Sequence, residues 1–171
     1  MRKGDKRAHL SEDERVLFFG GTINLVMRKS VQTLAEFEEE ATHFTKSLSP
    51  QKEGASLITL SGELGAGKTA FTKVVAETLG VTEIVNSPTF VIEKIYMLSD
   101  RQLFKRLIHI DAYRLEKGSE LAPLGFDESM KDAENLILLE WPEKVADALP
   151  VPAHKISITT GSDGSRIISY D

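Results

Sequence analysis

Near the middle of the chain, eight residues match the pattern G-x-x-x-x-G-K-[ST] completely: Gly62-Glu63-Leu64-Gly65-Ala66-Gly67-Lys68-Thr69. Residues 56–61 before this motif form a short apolar run, which is typical of a buried strand. After the motif, apolar residues recur at helical spacing up to Leu79, and Gly80 is suited to end that helix. A strand, a glycine-rich turn and a helix in this order predict an α/β fold with a phosphate-binding loop.

Each residue type in the motif contributes to holding a nucleotide. The glycines permit positive φ angles, and they let backbone N–H groups close around phosphate oxygens. Lys68 supplies a cation to the β- and γ-phosphates, and the Thr69 hydroxyl can bind Mg²⁺. The N-terminus of the following helix adds its dipole. The motif therefore predicts a nucleotide site built by residues 62–69.

Two carboxylates that end apolar runs are candidates for the remaining parts of such a site. Asp111 follows the apolar run 107–110, and Glu140 follows the apolar run 136–139. A phosphate-binding loop needs a second carboxylate on the metal side and a group that positions the γ-phosphate or the attacking water. Either acid can be the Mg²⁺ partner, and the residues alone leave the choice between them open.

Three further residues near these positions each allow two interpretations. Thr89 lies on a proline-containing loop and is either a sensor of the γ-phosphate or its Mg²⁺, or part of a plain turn. His109 lies on the same strand face as Asp111, where a packing or hydrogen-bonding role is commoner than that of a base. Trp141 is either a core residue or a surface on which a nucleotide stacks.

The rest of the chain predicts one α/β domain over residues 16–171. The charges of residues 1–15 lack periodicity and predict a frayed N-terminal extension, with a basic docking tail as the alternative. Apolar patches within residues 16–27 predict one or two short edge strands. Thr33 and Glu36 predict a capping box at the start of a helix. The apolar stripe of that helix is Leu34, Phe37, Ala41, Phe44 and Leu48.

The strand pattern after the motif predicts a mixed sheet. Residues 90–97 and 107–110 predict two strands joined by a turn that is too short for a crossover helix, so they should pair antiparallel. Residues 136–139 predict a second buried strand. Residues 142–149 predict a short helix with proline in its first turn, and residues 156–168 predict a C-terminal hairpin.

The composition argues against several classes of function. Lys+Arg 21 and Asp+Glu 26 give a net charge of −5, which disfavours DNA binding or general nucleic-acid binding because phosphate contacts need clustered Lys and Arg. The chain has no cysteine, which excludes disulfides, thiolate catalysis and Cys-ligated metal sites. No apolar run approaches the roughly 20 residues that span a bilayer, so we expect a cytoplasmic protein without membrane contact.

Four motifs follow one another along the chain. After the phosphate-binding motif come Ser87-Pro88-Thr89-Phe90, then His109-Ile110-Asp111-Ala112-Tyr113-Arg114, then Glu140-Trp141-Pro142. This series resembles the TsaE (YjeE) family, the ATPases of bacterial tRNA threonylcarbamoyladenosine synthesis, and the likeness extends from about Ser30 to Arg166. The resemblance implies a P-loop NTPase-like three-layer α/β fold with a mixed sheet, which binds ATP and Mg²⁺.

The resemblance also implies roles for individual residues. Thr69 and Glu140 would be the metal ligands, and Lys68 would bind the phosphates. Asp111 would orient water or the hydration shell of the metal, which makes Lys68, Asp111 and Glu140 the catalytic residues.

Three residues outside this group are implied to lie at the nucleotide. Thr89 would be a switch residue. Thr33, at the start of the first helix, and Arg166, in the last hairpin, match positions near the nucleotide, with Arg166 as a cation for it.

The function implied by the resemblance is that of an ATP-driven accessory. Such proteins bind the TsaD–TsaB complex and reset it between rounds of modifying the adenosine next to the anticodon. We expect slow ATP hydrolysis by the chain alone, because no arginine finger is evident beside the loop. The acidic net charge agrees with a contact to tRNA that is indirect and made through the partner complex.

Two alternatives come from other functional classes. A small-molecule kinase on a P-loop fold would need an acceptor-binding subdomain, and no insertion in the chain is long enough to indicate one. A regulatory GTP switch would need an Asn-Lys-x-Asp guanine signature, which the sequence lacks.

Overall fold

The computed structural model describes residues 14–19 and 22–171, with side chains from Met27 onward, and within this range eight strands form one mixed sheet. The strands are β1 (Glu14–Phe19), β2 (Thr22–Val31), β3 (Ser56–Ser61), β4 (Glu93–Met97), β5 (Arg106–Asp111), β6 (Asn135–Glu140), β7 (His154–Thr160) and β8 (Arg166–Tyr170). Their order across the sheet is β1-β2-β8-β7-β3-β6-β5-β4. Strand β3 pairs parallel with β6 and β7, and β5 pairs parallel with β6. The predicted antiparallel pairs, β4 with β5 and β7 with β8, are confirmed.

Helical segments cover both faces of the sheet and give it three layers. They are α1 (Leu34–Ser47), α2 (Lys68–Thr78), α3 (Phe126–Met130) and the 3-10 segments Ala112–Arg114, Gly118–Leu124 and Pro142–Lys144. Because side chains alternate along a strand, the buried strands feed two separate cores. Ile58 and Leu60 of β3 pack in the core that includes α1 and α2, whereas Leu57 packs in the core that includes Phe126 of α3. The three-layer α/β fold expected from the sequence is therefore confirmed.

The N-terminal strands extend further than the pattern predicts. Strand β2 continues to Val31 and pairs with both β1 and β8, so β1 and not β2 lies at the edge of the sheet. Residues 1–13 of the predicted extension lie outside the described residues, and Glu14 and Arg15 belong to β1.

The start of α1 agrees with the predicted cap in part. The Thr33 hydroxyl oxygen accepts a hydrogen bond from the Glu36 N–H (3.2 Å), as expected for a capping box. The Glu36 carboxylate, however, accepts from the Gln32 N–H (2.7 Å) rather than from that of Thr33. The predicted apolar stripe is buried except at Leu34, which is 68% exposed.

The helix predicted over residues 142–149 is wrong beyond its first turn, since only the 3-10 segment Pro142–Lys144 forms. Val145 leaves that turn to become fully buried in the core that contains α3. The Asp147 carboxylate accepts a hydrogen bond from the Gly118 N–H (2.8 Å), and Pro150 disfavours a helical conformation at Leu149. Among the described residues, no helix has the length and apolar character needed to cross a membrane.

Candidate functional site

The glycine-rich loop joins β3, which is flanked on both sides by parallel strands, to the first residue of α2. Gly62 has a φ of 142°, and a Cβ atom there would collide with the backbone carbonyl oxygen of Ile158 in β7. Gly67 has a φ of 119° and precedes α2 as its N-cap residue. Both positions therefore require glycine, which keeps the loop tight against the sheet and points the N-terminus of α2 into it.

Lys68 is buried within this loop although it carries an ammonium group. Its Nζ donates hydrogen bonds to the backbone carbonyl oxygens of Gly62 (2.7 Å) and Glu63 (2.9 Å), and it lies 3.8 Å from the ring centroid of Trp141. Burial lowers the pKa of the Lys68 ammonium, and the nearby carboxylates, that of Glu140 above all, oppose this shift. The loop thus encloses a cation at its centre.

The side chains of His109, Asp111 and Glu140 share the sheet face that is covered by α1 and α2. Leu107 and Leu138, at alternating positions on the same two strands, pack in the core on that face. Asp111 and Glu140 are direct neighbours in the parallel register of β5 and β6, and each is the last residue of its strand. Both acids consequently end beside the start of α2.

Glu140 connects the loop to the sheet. The Thr69 hydroxyl donates a hydrogen bond to its Oε2 (3.0 Å), and His109 Nε2 lies 2.8 Å from its Oε1. Glu140 and His109 are almost completely buried. The carboxylate is therefore held from two sides, by α2 and by β5.

Asp111 is the centre of a second group of hydrogen bonds. Its Oδ2 accepts from the hydroxyls of Ser87 (2.6 Å) and Thr89 (2.5 Å), and its Oδ1 accepts from the Tyr113 N–H (3.0 Å). The loop that carries Thr89 turns back on itself, because the N–H groups of residues 91 and 92 bond to the carbonyl oxygen of residue 88. For this reason β4 begins at residue 93 rather than at residue 90, where the pattern predicts it.

Two clefts lie on opposite sides of the glycine-rich loop and share Gly65, Gly67 and Ala70 as lining. The acidic cleft, of about 340 Å³, is lined by Leu64, Gly65, Gly67, Lys68, Thr69, Ala70, Ser87, Thr89, Asp111, Tyr113, Glu140 and Trp141. The α1 cleft, of about 320 Å³, is lined by Val31, Gln32, Thr33, Leu34, Phe37, Gly65, Ala66, Gly67, Ala70, Gly164 and Arg166. A larger cleft of about 680 Å³ between β2 and α1 contains none of the predicted site residues.

Most of the predicted site residues line one or both of the first two clefts, whereas Gly62 and Glu63 line neither. Thr69, Thr89, Asp111 and Glu140 meet in the acidic cleft with Lys68. Thr33 and Arg166 line the α1 cleft instead. Arg166 reaches the glycine-rich loop there, because its Nε donates to the carbonyl oxygen of residue 66 (3.2 Å) and its Nη1 donates to that of residue 164 (3.2 Å).

The sequence did not predict the contacts that Ser87 and Trp141 make in the acidic cleft. Ser87 was part of a motif, but only the folded chain brings its hydroxyl to Asp111. Trp141 has a φ of 61°, a conformation uncommon for a residue other than glycine, and its ring packs against Lys68 and Tyr113. The sequence places Trp141 directly after the acid that ends a strand, which marks it as a neighbour of the site. Nothing in the sequence predicts its positive φ.

Comparison with known proteins identifies relatives over most of the chain. The model of the family described as "Threonylcarbamoyl adenosine biosynthesis protein TsaE" matches residues 33–168. The tRNA threonylcarbamoyladenosine biosynthesis protein TsaE of Bacillus subtilis (strain 168) is 41% identical over 132 residues, which are 77% of this chain and 79% of that protein. The protein of the same name from Rickettsia bellii is 30% identical over 80% of this chain and 91% of its own length. The crystal structure of Bacillus subtilis YdiB superposes with a TM-score of 0.67 at 32% identity, covering 85% of this chain and 84% of that chain.

Proposed function

We propose that this chain, which belongs to the TsaE family of threonylcarbamoyl adenosine biosynthesis proteins, binds ATP with Mg²⁺ and hydrolyses it slowly. Membership gives the chain a role in tRNA threonylcarbamoyladenosine biosynthesis. The observation that carries the ATPase proposal is the meeting of Thr69, Asp111 and Glu140 in one cleft beside the buried Lys68. A hydroxyl, two carboxylates and a cation around a glycine-rich loop are the parts that nucleotide hydrolysis on such a loop needs.

The donor set of the acidic cleft fits Mg²⁺ held together with a nucleotide. Among the described residues, no group of three or more His, Asp or Glu side chains could hold a metal ion by itself. This is the usual situation for Mg²⁺, which binds to one or two carboxylates and takes its other oxygen ligands from substrate phosphates and water. Thr69 and Glu140 would supply the protein ligands. The bound ion would neutralise charge on the β- and γ-phosphate oxygens.

The remaining residues of the acidic cleft would bind the phosphates and the attacking water. Lys68 would exchange its two backbone carbonyl partners for phosphate oxygens, since both kinds of acceptor suit an ammonium group. Asp111 would accept a hydrogen bond from the attacking water and so orient it. Thr89 shares a hydrogen bond with Asp111, which would couple the position of its loop to the state of the γ-phosphate.

The α1 cleft would take the nucleoside part of ATP. It lies across the glycine-rich loop from Asp111 and Glu140, and Leu34 and Phe37 give it an apolar side. Thr33 would contact the nucleoside, and Arg166 would bring a positive charge near the phosphates from this side. The exposure of Leu34, which is unusual for a stripe residue of an amphipathic helix, has a reason if a base packs against it.

We further propose that the mouth of the acidic cleft binds the TsaD–TsaB complex. Apolar side chains on or next to the lining residues are exposed, with Leu64 at 80% and Phe90 at 83%. Exposed apolar groups gathered at one place indicate an interaction surface. A protein partner covering this surface would reach the nucleotide and could change its rate of hydrolysis. The net charge of −5 agrees with tRNA being held by the partner rather than by this chain.

An ATPase assay with and without TsaD–TsaB tests both parts of this proposal. We expect slow hydrolysis by the chain alone, a faster rate with the complex, and loss of both rates in Lys68→Ala and Glu140→Ala. Lys73→Ala is the matched control, because Lys73 lies on the same helix but is exposed and pairs with Glu77 (3.8 Å). Hydrolysis that is indifferent to Lys68→Ala and Glu140→Ala would refute the site. A partner complex that neither binds nor alters the rate would refute the proposed interaction, and phosphate transfer to a metabolite would favour the kinase alternative.

A further inference from the structure

We infer that His109 is a positioning residue, which fixes the orientation of the Glu140 carboxylate and thereby sets the Mg²⁺ dependence of nucleotide binding. This inference rests on the proposed function, in which Glu140 is a metal ligand. It adds a residue from outside the lining of the acidic cleft, since His109 is fully buried and acts only through its neighbour.

The two oxygens of Glu140 are divided between two partners from different elements. Oε1 lies 2.8 Å from His109 Nε2, and Oε2 accepts from the Thr69 hydroxyl at 3.0 Å. A carboxylate held at one oxygen can still rotate about its terminal torsion, whereas one held at both oxygens cannot. The contact with His109 therefore fixes the plane of the carboxylate, and with it the direction of the oxygen that bonds to Thr69. It also satisfies an oxygen that burial removes from water.

The hydrogen bonds of the His109 imidazole indicate that it orients Glu140 rather than only filling space in the core. An ionised carboxylate only accepts hydrogen bonds, so Nε2 carries the proton when it is paired with Glu140. The other ring nitrogen, Nδ1, is buried and has no hydrogen-bond partner among the described residues. The bond to Glu140 is consequently the contact that gives a polar ring a reason to lie at this position. Because the ring is fully buried, its effect on a ligand must pass through Glu140.

Groups that hydrogen-bond a metal ligand commonly change metal affinity by about 10–100-fold when they are removed. Glutamine and asparagine form a matched pair for testing this at position 109. The amide nitrogen of glutamine lies as many bonds from the backbone as Nε2, whereas that of asparagine corresponds to Nδ1, on the wrong side of the ring. Only glutamine should therefore restore the donor to Oε1 of Glu140.

The experiment measures binding of a fluorescent, non-hydrolysable ATP analogue by the full chain, in EDTA and across a Mg²⁺ titration. We expect His109→Asn to raise, by about tenfold, the Mg²⁺ concentration at which half of the Mg²⁺-dependent gain in affinity for the analogue is reached. The affinity of this variant for the analogue in EDTA should stay within about twofold of that of the unmodified chain. His109→Gln should stay within about threefold of the unmodified chain in both conditions. Circular dichroism checks folding, and His109→Leu replaces the Asn variant if that variant is unfolded, since it also lacks the donor.

The inference would be overturned if the Asn and Gln variants showed the same Mg²⁺ dependence of affinity for the analogue. It would also be overturned if the Asn variant lost the same affinity with Mg²⁺ as in EDTA. Glu140→Ala separates this failure from that of the proposed function. If Glu140→Ala abolishes the Mg²⁺ dependence while the His109 variants behave normally, only the role of His109 is wrong. If Glu140→Ala leaves the Mg²⁺ dependence intact, or if the unmodified chain does not bind the analogue, the proposed site is wrong and the inference falls with it.

Discussion

Replacement of Gly62 by alanine should destabilise the chain more than the same replacement at Gly65, three residues along the loop. At both positions φ is positive, 142° at Gly62 and 80° at Gly65, so alanine at either costs about 1–3 kcal/mol of backbone strain. Alanine also restricts the unfolded chain at both positions, and this gain of about 0.4–1 kcal/mol cancels in the comparison. The φ of Gly62 lies further from the left-handed region that other residues adopt, so the strain there is at least as large as at Gly65. The further difference between the two variants comes from what the new Cβ atom meets.

The Cβ atom of the new alanine meets a steric clash at Gly62 but not at Gly65. A Cβ atom at Gly62 collides with the backbone carbonyl oxygen of Ile158, whereas a Cβ atom at Gly65 has no described atom within 4 Å. Ile158 cannot move aside cheaply, because its strand β7 is held between β3 and β8 and its own side chain is fully buried. Forcing a methyl group into such a place costs about 1–3 kcal/mol. We expect the Gly62→Ala variant to unfold roughly 2–12 °C below Gly65→Ala, at about 2–4 °C per kcal/mol for a domain of this size.

Thermal unfolding of the two variants without nucleotide measures the difference in temperature, and chemical denaturation measures the underlying difference of about 1–3 kcal/mol in the free energy of unfolding. The midpoint should be lower for Gly62→Ala while the slope m is the same for both variants, because the surface exposed on unfolding is unchanged. Two variants of equal stability would refute the argument, since they would mean that the close approach of the loop to β7 is not rigid.

Three other predictions each concern a single side chain. Trp141 is the one tryptophan of the chain and lies against Lys68, so its fluorescence should change when ATP and Mg²⁺ are added, and no such change should occur in Trp141→Phe. Thr89→Val removes a hydrogen bond to Asp111 and should lower the hydrolysis rate more than the nucleotide affinity, which steady-state kinetics and binding titrations can separate. Burial lowers the pKa of His154, so the folded chain favours its neutral form. The unfolded chain then binds more protons below about pH 6.5, and stability should fall as the pH drops through that range, less so in His154→Asn.

Each of these predictions has an outcome that contradicts it. A constant tryptophan signal at saturating nucleotide would place the phosphates away from Trp141. Equal losses of rate and affinity in Thr89→Val would mean that this hydroxyl only shapes the loop. An unfolding midpoint with the same pH dependence in His154→Asn would assign the acid sensitivity to other groups.

Local patterns were sufficient for most elements of the fold. The strand before the motif, the helix after it and the glycine that ends this helix all form as predicted, because periodicity and backbone preference act within a few residues. The helix expected after Pro142 stops after one turn because Val145 and Asp147 make contacts with distant parts of the chain. Those contacts outweigh a helical preference that is weak over so few residues.

The candidate site shows the same division between local and distant information. The motif from Gly62 to Thr69 is contiguous, and its geometry follows from glycine and from the helix that begins at Lys68. The acids could be predicted as the ends of apolar runs, but not their partners. That Asp111 would take the Ser87 and Thr89 hydroxyls depends on pairing between chain segments more than twenty residues apart.

By itself, the sequence determines that this chain forms an α/β fold around a phosphate-binding loop, because the required residues are neighbours along the chain. It also determines the family, because the family model matches residues 33–168, the range that contains all four motifs. The folded chain was needed to separate Glu140, which bonds to Thr69 and His109, from Asp111, which bonds to Ser87 and Thr89. The two acids are equivalent as strand ends. Their partners differ only because β6 lies next to β3 and its loop, whereas β5 lies one strand further out, beside the segment that carries Thr89.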